Sequence, residues 1–198
     1  FFSFKDTDGL TFESAYGMLC MKLAFAFQDY QFLLDDDAIS DDDKGIFKRI
    51  LGRTASMDET KSCFLLLTRM LEIHFKKSAV VILDEYDVPI AKASSNGYYS
   101  QMLDVMRAMM STTLKDNTSL DFAVITGCLK IAKESIFTGT NNFVSDTILS
   151  PRLSESFGFT QADVDQMLKD AGLESQSAEI KAWYDGYHFG DADIYCPW

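Results

Sequence analysis

The chain has 198 residues, 47% of them apolar, and three prolines, which suits one sizeable hydrophobic core with a small appendage and excludes a disordered segment. Thirty acidic against eighteen basic residues leave a formal charge of -12. That field repels phosphate backbones and anionic lipid, so neither nucleic acid nor a membrane surface is expected as a direct partner. No stretch approaches the roughly 18 apolar residues of a membrane helix. Four scattered cysteines without a CxxC, and two histidines, make no zinc site and point to a reducing, cytoplasmic setting.

The chain opens on FFSF without a methionine and stops at YCPW, so it is expected to be a piece of a longer protein. FFSF at 1–4 reads as a short strand, closed by the polar KDTDG turn. In the stretch from Thr11 to Tyr30, Phe12, Ala15, Tyr16, Leu19, Leu23, Ala26, Phe27 and Tyr30 recur at three and four, which predicts an amphipathic helix. Strand, turn and helix form the first half of a βαβ unit.

Six aspartates then crowd positions 35–43. They lack the alternating ligands, central glycine and closing glutamate of a calcium loop, so a solvated acidic loop is expected. IFKRIL at 46–51 extends a short helix, and Ser56 with Glu59 makes a capping box. Phe64, Leu67, Leu71 and His74 follow on one helical face; His74 is expected to pack or to sit at the helix C-terminus rather than to catalyse. AVVIL at 79–83 is continuously apolar and β-branched, the pattern of a strand buried on both faces. From about Tyr98 to Leu114, Met102, Val105, Met106 and Met109 keep helical phase and are expected in the core beneath the strand. LDFAVITG at 120–127 is a further strand running into a glycine.

This order predicts an α/β fold with a parallel sheet flanked by helices. After about residue 150 the texture changes. Thr160 and Asp163 cap a helix carrying Val164, Met167, Leu168 and Ala171 and ended by Gly172; a short helix at SAEIKAWY and the aromatic run WYDGYHFG come next. Two parts are expected: an α/β core over 1–150, and over 151–198 a small C-terminal lid of helix and turn.

The segment VVILDEYDVP raises the functional question. In an open parallel sheet ligands gather at the carboxyl ends of the strands, where Asp84 and Glu85 fall. An apolar strand ending in Asp then Glu serves nucleotide hydrolysis: the Asp touches magnesium or its bound water, and the Glu reaches the water that attacks the terminal phosphate. Adjacent strand residues point to opposite faces, so the two acids divide these tasks only if the strand bends at that point; Pro89 helps to fix the turn. The plainer reading is a capped strand end or a pairing with Lys92. Thr126, at the end of the next strand, can present a hydroxyl at the same edge. No GxxxxGK[ST] loop occurs in these residues, and Lys130 and Lys133, just past the ITG turn, cannot replace a nest of backbone N–H groups.

These motifs together resemble the predicted AAA-ATPase-like family, abundant in gut and anaerobic bacteria and often carrying a nuclease-like domain at the C-terminus. The resemblance rests on ILDEYDVPIAKA at 82–93, GYYSQML at 97–103, LKDN at 114–117, ITGCLKIAKESIFTGTNNF at 125–143, SESFGFTQADV at 154–164 and WYDGYHFGDADIYCPW at 183–198. FFSFKD at 1–6 resembles the strand after the family's phosphate-loop helix. The resemblance implies a P-loop NTPase-like sheet lacking its Walker A segment, which would lie upstream of Phe1, with ATP and Mg2+ as cofactors once that segment is present. It implies that Asp84 is the metal-directed residue, that Asp84, Glu85, Thr126 and Gly127 face the nucleotide, and that Glu85, Thr126, Lys130 and Lys133 carry the chemistry. Glu134, Ser135, Asn141 and Asn142 match the segment after the ITG turn. Lys130 stands where the family often has arginine, keeping the charge without the fork, and Cys196 stands where asparagine is usual.

The expected function is Mg2+-dependent ATP hydrolysis in the full-length protein, coupled to conformational change, with the fragment itself inactive. Two alternatives are a degenerate ATPase serving as an interaction scaffold, and a nucleic-acid translocase satisfying DExD; a nuclease role for this segment is weaker. The implied partners are a C-terminal nuclease-like or other downstream domain and a possible homo-oligomer, with nucleic acid reached only through the rest of the protein.

Overall fold

The computed structural model describes residues 1–128 and 144–195, and at Asp185 the backbone alone. Lys130, Lys133, Glu134, Ser135, Asn141, Asn142 and Cys196 lie outside the described residues. The chain divides into two compact units, Phe1–Asn142 and Phe143–Trp198.

The first unit is a mixed α/β layer structure. Its strands β1 (Phe2–Ser3), β2 (Ala79–Asp84) and β3 (Leu120–Ile125) form a parallel sheet in the order β1-β2-β3. Between β1 and β2 run α1 (Phe12–Gln28), α2 (Asp41–Leu51), α3 (Met57–Lys61) and α4 (Cys63–Phe75). Between β2 and β3 run α5 (Val88–Asn96) and α6 (Tyr99–Leu114). Helical crossovers of this length are what parallel neighbours require. The core joins Phe4, Phe27, Phe47 and Leu83 to Met102, Val105, Met106 and Met109, all fully buried, so the methionine stripe is packing, as its phase predicts.

The sheet is not buried on both faces. Val81, Leu83 and Ile125 turn toward the helices and join the core. On the other face Val80, Ile82, Phe122 and Val124 remain 46%, 40%, 53% and 44% exposed. The register pairs Val80 with Phe122 and Ile82 with Val124, so the four make one contiguous apolar surface. An unbroken apolar run records that both faces are apolar; it does not say that this stretch of chain covers both.

The acidic stretch also departs from the expected solvated loop. Ser40 caps α2 by accepting the Asp43 N–H at 3.2 Å, and Asp41, Asp42 and Asp43 occupy the first turn, where the helix dipole favours negative charge. Asp43 is buried and paired with Arg69 of α4. Asp36 accepts the Ala38 N–H at 2.9 Å and meets His74 Nδ1 at 2.8 Å, which holds its carboxyl below the usual range. His74 therefore sits in the last turn of α4, between Asp36 and the rings of Phe32 and Phe75.

The second unit contains α7 (Gln161–Ala171), α8 (Ser177–Tyr184) and an antiparallel hairpin of β4 (Asp185–Phe189) and β5 (Ala192–Tyr195). The hairpin corrects the expectation of helix and turn alone. Tyr187, His188 and Phe189 lie on its first strand, and Gly190, at φ 55°, begins the reversal. Val164, Leu168 and Tyr195 form a small core with Ile180 against it, and the Tyr195 hydroxyl donates to Gln161 at 2.6 Å. Among the described residues no helix is long and apolar enough to cross a membrane.

The sequence-derived capping box at α3 is present: Ser56 and Glu59 exchange hydrogen bonds of 2.9 and 3.2 Å, and Glu59 also binds Arg49. The Arg49 hydrogen bond, followed by the Ser56 N–H, lowers the Glu59 carboxyl to about 2. A depressed carboxyl contributes stability that is present above its unfolded-state pKa, near ~4.3, and lost as pH falls through the folded value. Urea midpoints measured from pH 5 down to pH 2 should therefore fall more steeply for the wild type than for Glu59→Gln; parallel curves would show that the pair contributes nothing.

Candidate functional site

The site lies at the C-terminal rim of the sheet. Side chains at Ile82 and Val124 share the uncovered face, and one period of two further on so do Asp84 and Thr126. The Thr126 hydroxyl donates to Asp84 Oδ1 at 2.5 Å, a charge-assisted contact at the short end of its range. From the other side Ser3 on β1, the register partner of Asp84, directs its hydroxyl to Asp84 Oδ2 at 3.4 Å. Asp84 is thus flanked by a hydroxyl from each neighbouring strand. Backbone bonds fix the three ends: Phe4 N–H to Asp84 C=O at 2.8 Å, and Thr126 N–H to Leu83 C=O at 2.9 Å.

Glu85 leaves the strand. Its φ of 54° is left-handed, a region disfavoured for any residue with a Cβ. Had β geometry continued, Glu85 would follow Leu83 by two and point into the helical core. The reversal keeps it half-exposed at the rim, which is the bend that separate roles for the two acids require. The turn is closed by Val88 N–H to Glu85 C=O at 3.1 Å and by Tyr86 N–H to Thr126 C=O at 3.2 Å.

Behind the rim, Tyr86 and Asp87 are buried at 9% and 3% exposure, and α5 begins at Val88 with Pro89 in its first turn. Gly127 closes against them. A Cβ added there would stand 2.4 Å from Asp87 Oδ1 and 2.7 Å from the Tyr86 ring, so this is a glycine of close approach. Lys92 stands 3.9 Å from Asp8, both side chains about half-exposed.

Four of the six residues singled out from the sequence, Asp84, Glu85, Thr126 and Gly127, are therefore brought to one rim; Lys130 and Lys133 lie outside the described residues. Sequence reasoning missed Ser3. Its signal was available in FFSF: the residue alternating with the buried Phe2 and Phe4 must turn to the opposite face.

A parallel sheet flanked by helices, with an aspartate and a glutamate at the carboxyl rim of its central strand, is the arrangement expected from the family resemblance read in the sequence. The comparison with known families agrees. The model of a family described as predicted AAA-ATPase matches residues 2–137, and the chain belongs to that family. A relative from Azotobacter chroococcum mcd 1, described as an uncharacterized protein in the vnfD 5' region, is 29% identical over 153 residues. That stretch is 77% of this chain and 30% of the relative, so the chain spans under a third of the curated protein it resembles. No solved structure matches the chain.

A non-glycine residue in the left-handed region costs roughly 1–2 kcal/mol. Glu85→Gly should relieve this and raise urea-determined stability by about 1 kcal/mol, whereas Glu85→Gln, with the same Cβ, should not. Equal stability of the two variants would show that the turn is unstrained.

Proposed function

We propose that the rim is the metal- and water-positioning half of a Mg2+-dependent ATP hydrolase, completed by a phosphate-binding loop from chain preceding Phe1. The observation that carries this reading is the Thr126–Asp84 hydrogen bond at the ends of two adjacent parallel strands, with Glu85 turned out beside it.

Asp84 is half-exposed, and its two hydroxyl contacts leave carboxylate lone pairs toward solvent. It would hold the cation or the waters around it. Among the described residues no group of three His, Cys, Asp or Glu side chains could hold a metal. Mg2+ takes one or two carboxylates and completes its shell with water and phosphate oxygens, so Asp84 alone could serve as its protein ligand. Bound there, the ion would neutralise charge on the triphosphate.

The residues of this chain then divide the work. Glu85, one residue beyond Asp84 and off the strand, orients the attacking water and accepts its proton. Thr126 fixes the Asp84 carboxylate, and its exposed hydroxyl oxygen can accept from water at the same edge. Gly127 lets the ITG turn approach the buried Tyr86–Asp87 segment, so the rim stays open to a phosphate. Lys130 or Lys133 would supply positive charge, in cis or to a neighbouring copy.

The second unit serves as the lid that converts nucleotide state into movement. A nuclease-like or other downstream domain is what it moves, within one chain or a homo-oligomer, and nucleic acid is met only through that domain. The free thiols Cys20, Cys63 and Cys128 support action in the cytoplasm.

In a protein carrying the upstream segment, Glu85→Gln should retain ATP binding and lose about 10²-fold or more in phosphate release, while Asp84→Asn should lower phosphate release and raise the Mg2+ concentration needed for half-maximal activity. Equal turnover by wild type and Glu85→Gln would overturn the role given to Glu85.

A further inference from the structure

Helix α8 buries none of its eight residues; Ser177 and Ile180 are half-buried and the other six are exposed. A surface helix ordinarily hides one apolar stripe. In α8 that stripe is Ile180, Trp183 and Tyr184, spaced at three and four. Ile180 packs against the small core of the second unit, but Trp183 stands 76% exposed, and Tyr184 is exposed beside it. Together with Leu168 of α7 and Leu173 they line an open groove of about 450 Å³. Glu179 is the charged side chain in its wall, and Asp170 and Glu174, at the end of α7 and in the turn that follows, are exposed as well. The whole groove belongs to the second unit, where residues 143–198 include ten acids against three lysines and arginines.

We propose that this groove binds an amphipathic helix of a partner protein, one that carries lysine or arginine along the border of its apolar face. The wall is made of side chains from helices and a turn rather than of a strand edge, so an occupant is recognised through its own side chains, as a helix laid in a groove is. Apolar residues one helical turn apart on the partner would enter against Leu168, Leu173 and Ile180. Trp183 and Tyr184 offer rigid aromatic surface of the kind that anchors an interface, and their ring faces attract a cation.

Charge selects the sign of the partner. Glu179 gives a basic residue beside the apolar anchors an ion-pair partner, with Asp170 and Glu174 adding to the field. A second copy would bring two acidic flanks together, in a chain whose formal charge is already -12, and like charges facing across an interface oppose association. An anionic membrane is repelled for the same reason. The proposal does not rest on the hydrolase reading, since none of these residues takes part in it.

The test uses the 198-residue chain with Trp198→Phe, which leaves Trp183 as its sole tryptophan. The probe is a synthetic helical peptide of leucine and lysine, about 18 residues long, with leucine on one face and no aromatic residue; the control peptide has glutamate for lysine. The lysine peptide should shift Trp183 emission to the blue, and the glutamate peptide should not. By calorimetry, Trp183→Ala should weaken the lysine peptide about tenfold or more. Glu179→Lys, which leaves the apolar wall intact, should weaken it by roughly the same factor and allow the glutamate peptide to bind. Equal binding of the two peptides by the unaltered groove would overturn the proposal, as would an affinity unchanged in both variants, because the peptide would then follow net charge to another surface. A blue shift that grows with protein concentration in the absence of peptide would also overturn it, since the groove would then be filled by a second copy.

Discussion

The register between β2 and β3 is the constraint on which the site depends. At their start Ala79 stands opposite Leu120, but Val80 already stands opposite Phe122, so one residue of the incoming strand, Asp121, is bulged out. That single extra residue sets every later pairing, through Leu83 with Ile125, and so sets Asp84 beside Thr126. Without the bulge Ile125 would neighbour Asp84, and the threonine would turn to the helical face, because a slip of one residue exchanges the faces of a strand. The exposed Asp121 and the short contact at the opposite end of the ladder are one device: the irregularity is placed at the remote end, and the ordered end carries the polar pair.

The two faces of the sheet divide the labour between stability and chemistry. Val81, Leu83 and Ile125 anchor the strands in a core that also holds Phe2 and Phe4, while Ser3, Asp84 and Thr126 occupy the opposite face at the rim. A carboxylate on the inner face would have to be desolvated among phenylalanines and methionines, at a penalty of several kcal/mol. On the outer face it keeps its hydration and is oriented by two hydroxyls. The residues that lead up to it, Val80, Ile82, Phe122 and Val124, make that face apolar along its length and polar at its end, the pattern of a surface that packs against something and opens at one edge.

Much of this was legible in the sequence, for reasons that can be named. The long helices follow from periodicity, and the Ser56–Glu59 and Thr160–Asp163 boxes follow from local hydrogen bonding that needs no tertiary context. The strand ends fall where apolar runs meet DE and TG, which placed Asp84, Glu85, Thr126 and Gly127. What escaped is what depends on context or on overlooked local signals. Helix α5 carries Pro89 in its first turn and left-handed Gly97 after its end, both recognisable signs of a helix that is absent from the elements read in the sequence. Ser40 marks the start of α2, but a run of aspartates looks the same in a loop and at a helix N-terminus until a partner such as Arg69 is known. The β4–β5 hairpin turns on Gly190 and Asp191 between alternating residues, a local signal overshadowed by its aromatic content. The bulge at Asp121 leaves no mark in sequence at all, since it exists only in relation to β2.

The position of Glu85 shows how the surrounding packing enforces a local departure from regular geometry. Left to alternation, the residue after Asp84 would be an inward-facing strand residue, and the sequence there would be apolar. A charged residue therefore conflicts with a continued strand, and the chain resolves the conflict by leaving the β region at φ 54°. The left-handed turn would revert if its far side were free, but buried Tyr86, Asp87 and Ile90 lock the start of α5 against the core, and Gly127 fits against Tyr86 and Asp87 with no space for a side chain. The strain is thus held between two anchors, the parallel ladder before it and the packed helix start after it. The left-handed backbone at Glu85 itself turns the residue away from the helical core and leaves it half-exposed. A glycine or asparagine would make the same turn at lower cost; what they would not bring is a carboxylate, and that is the one property of glutamate the turn itself does not need.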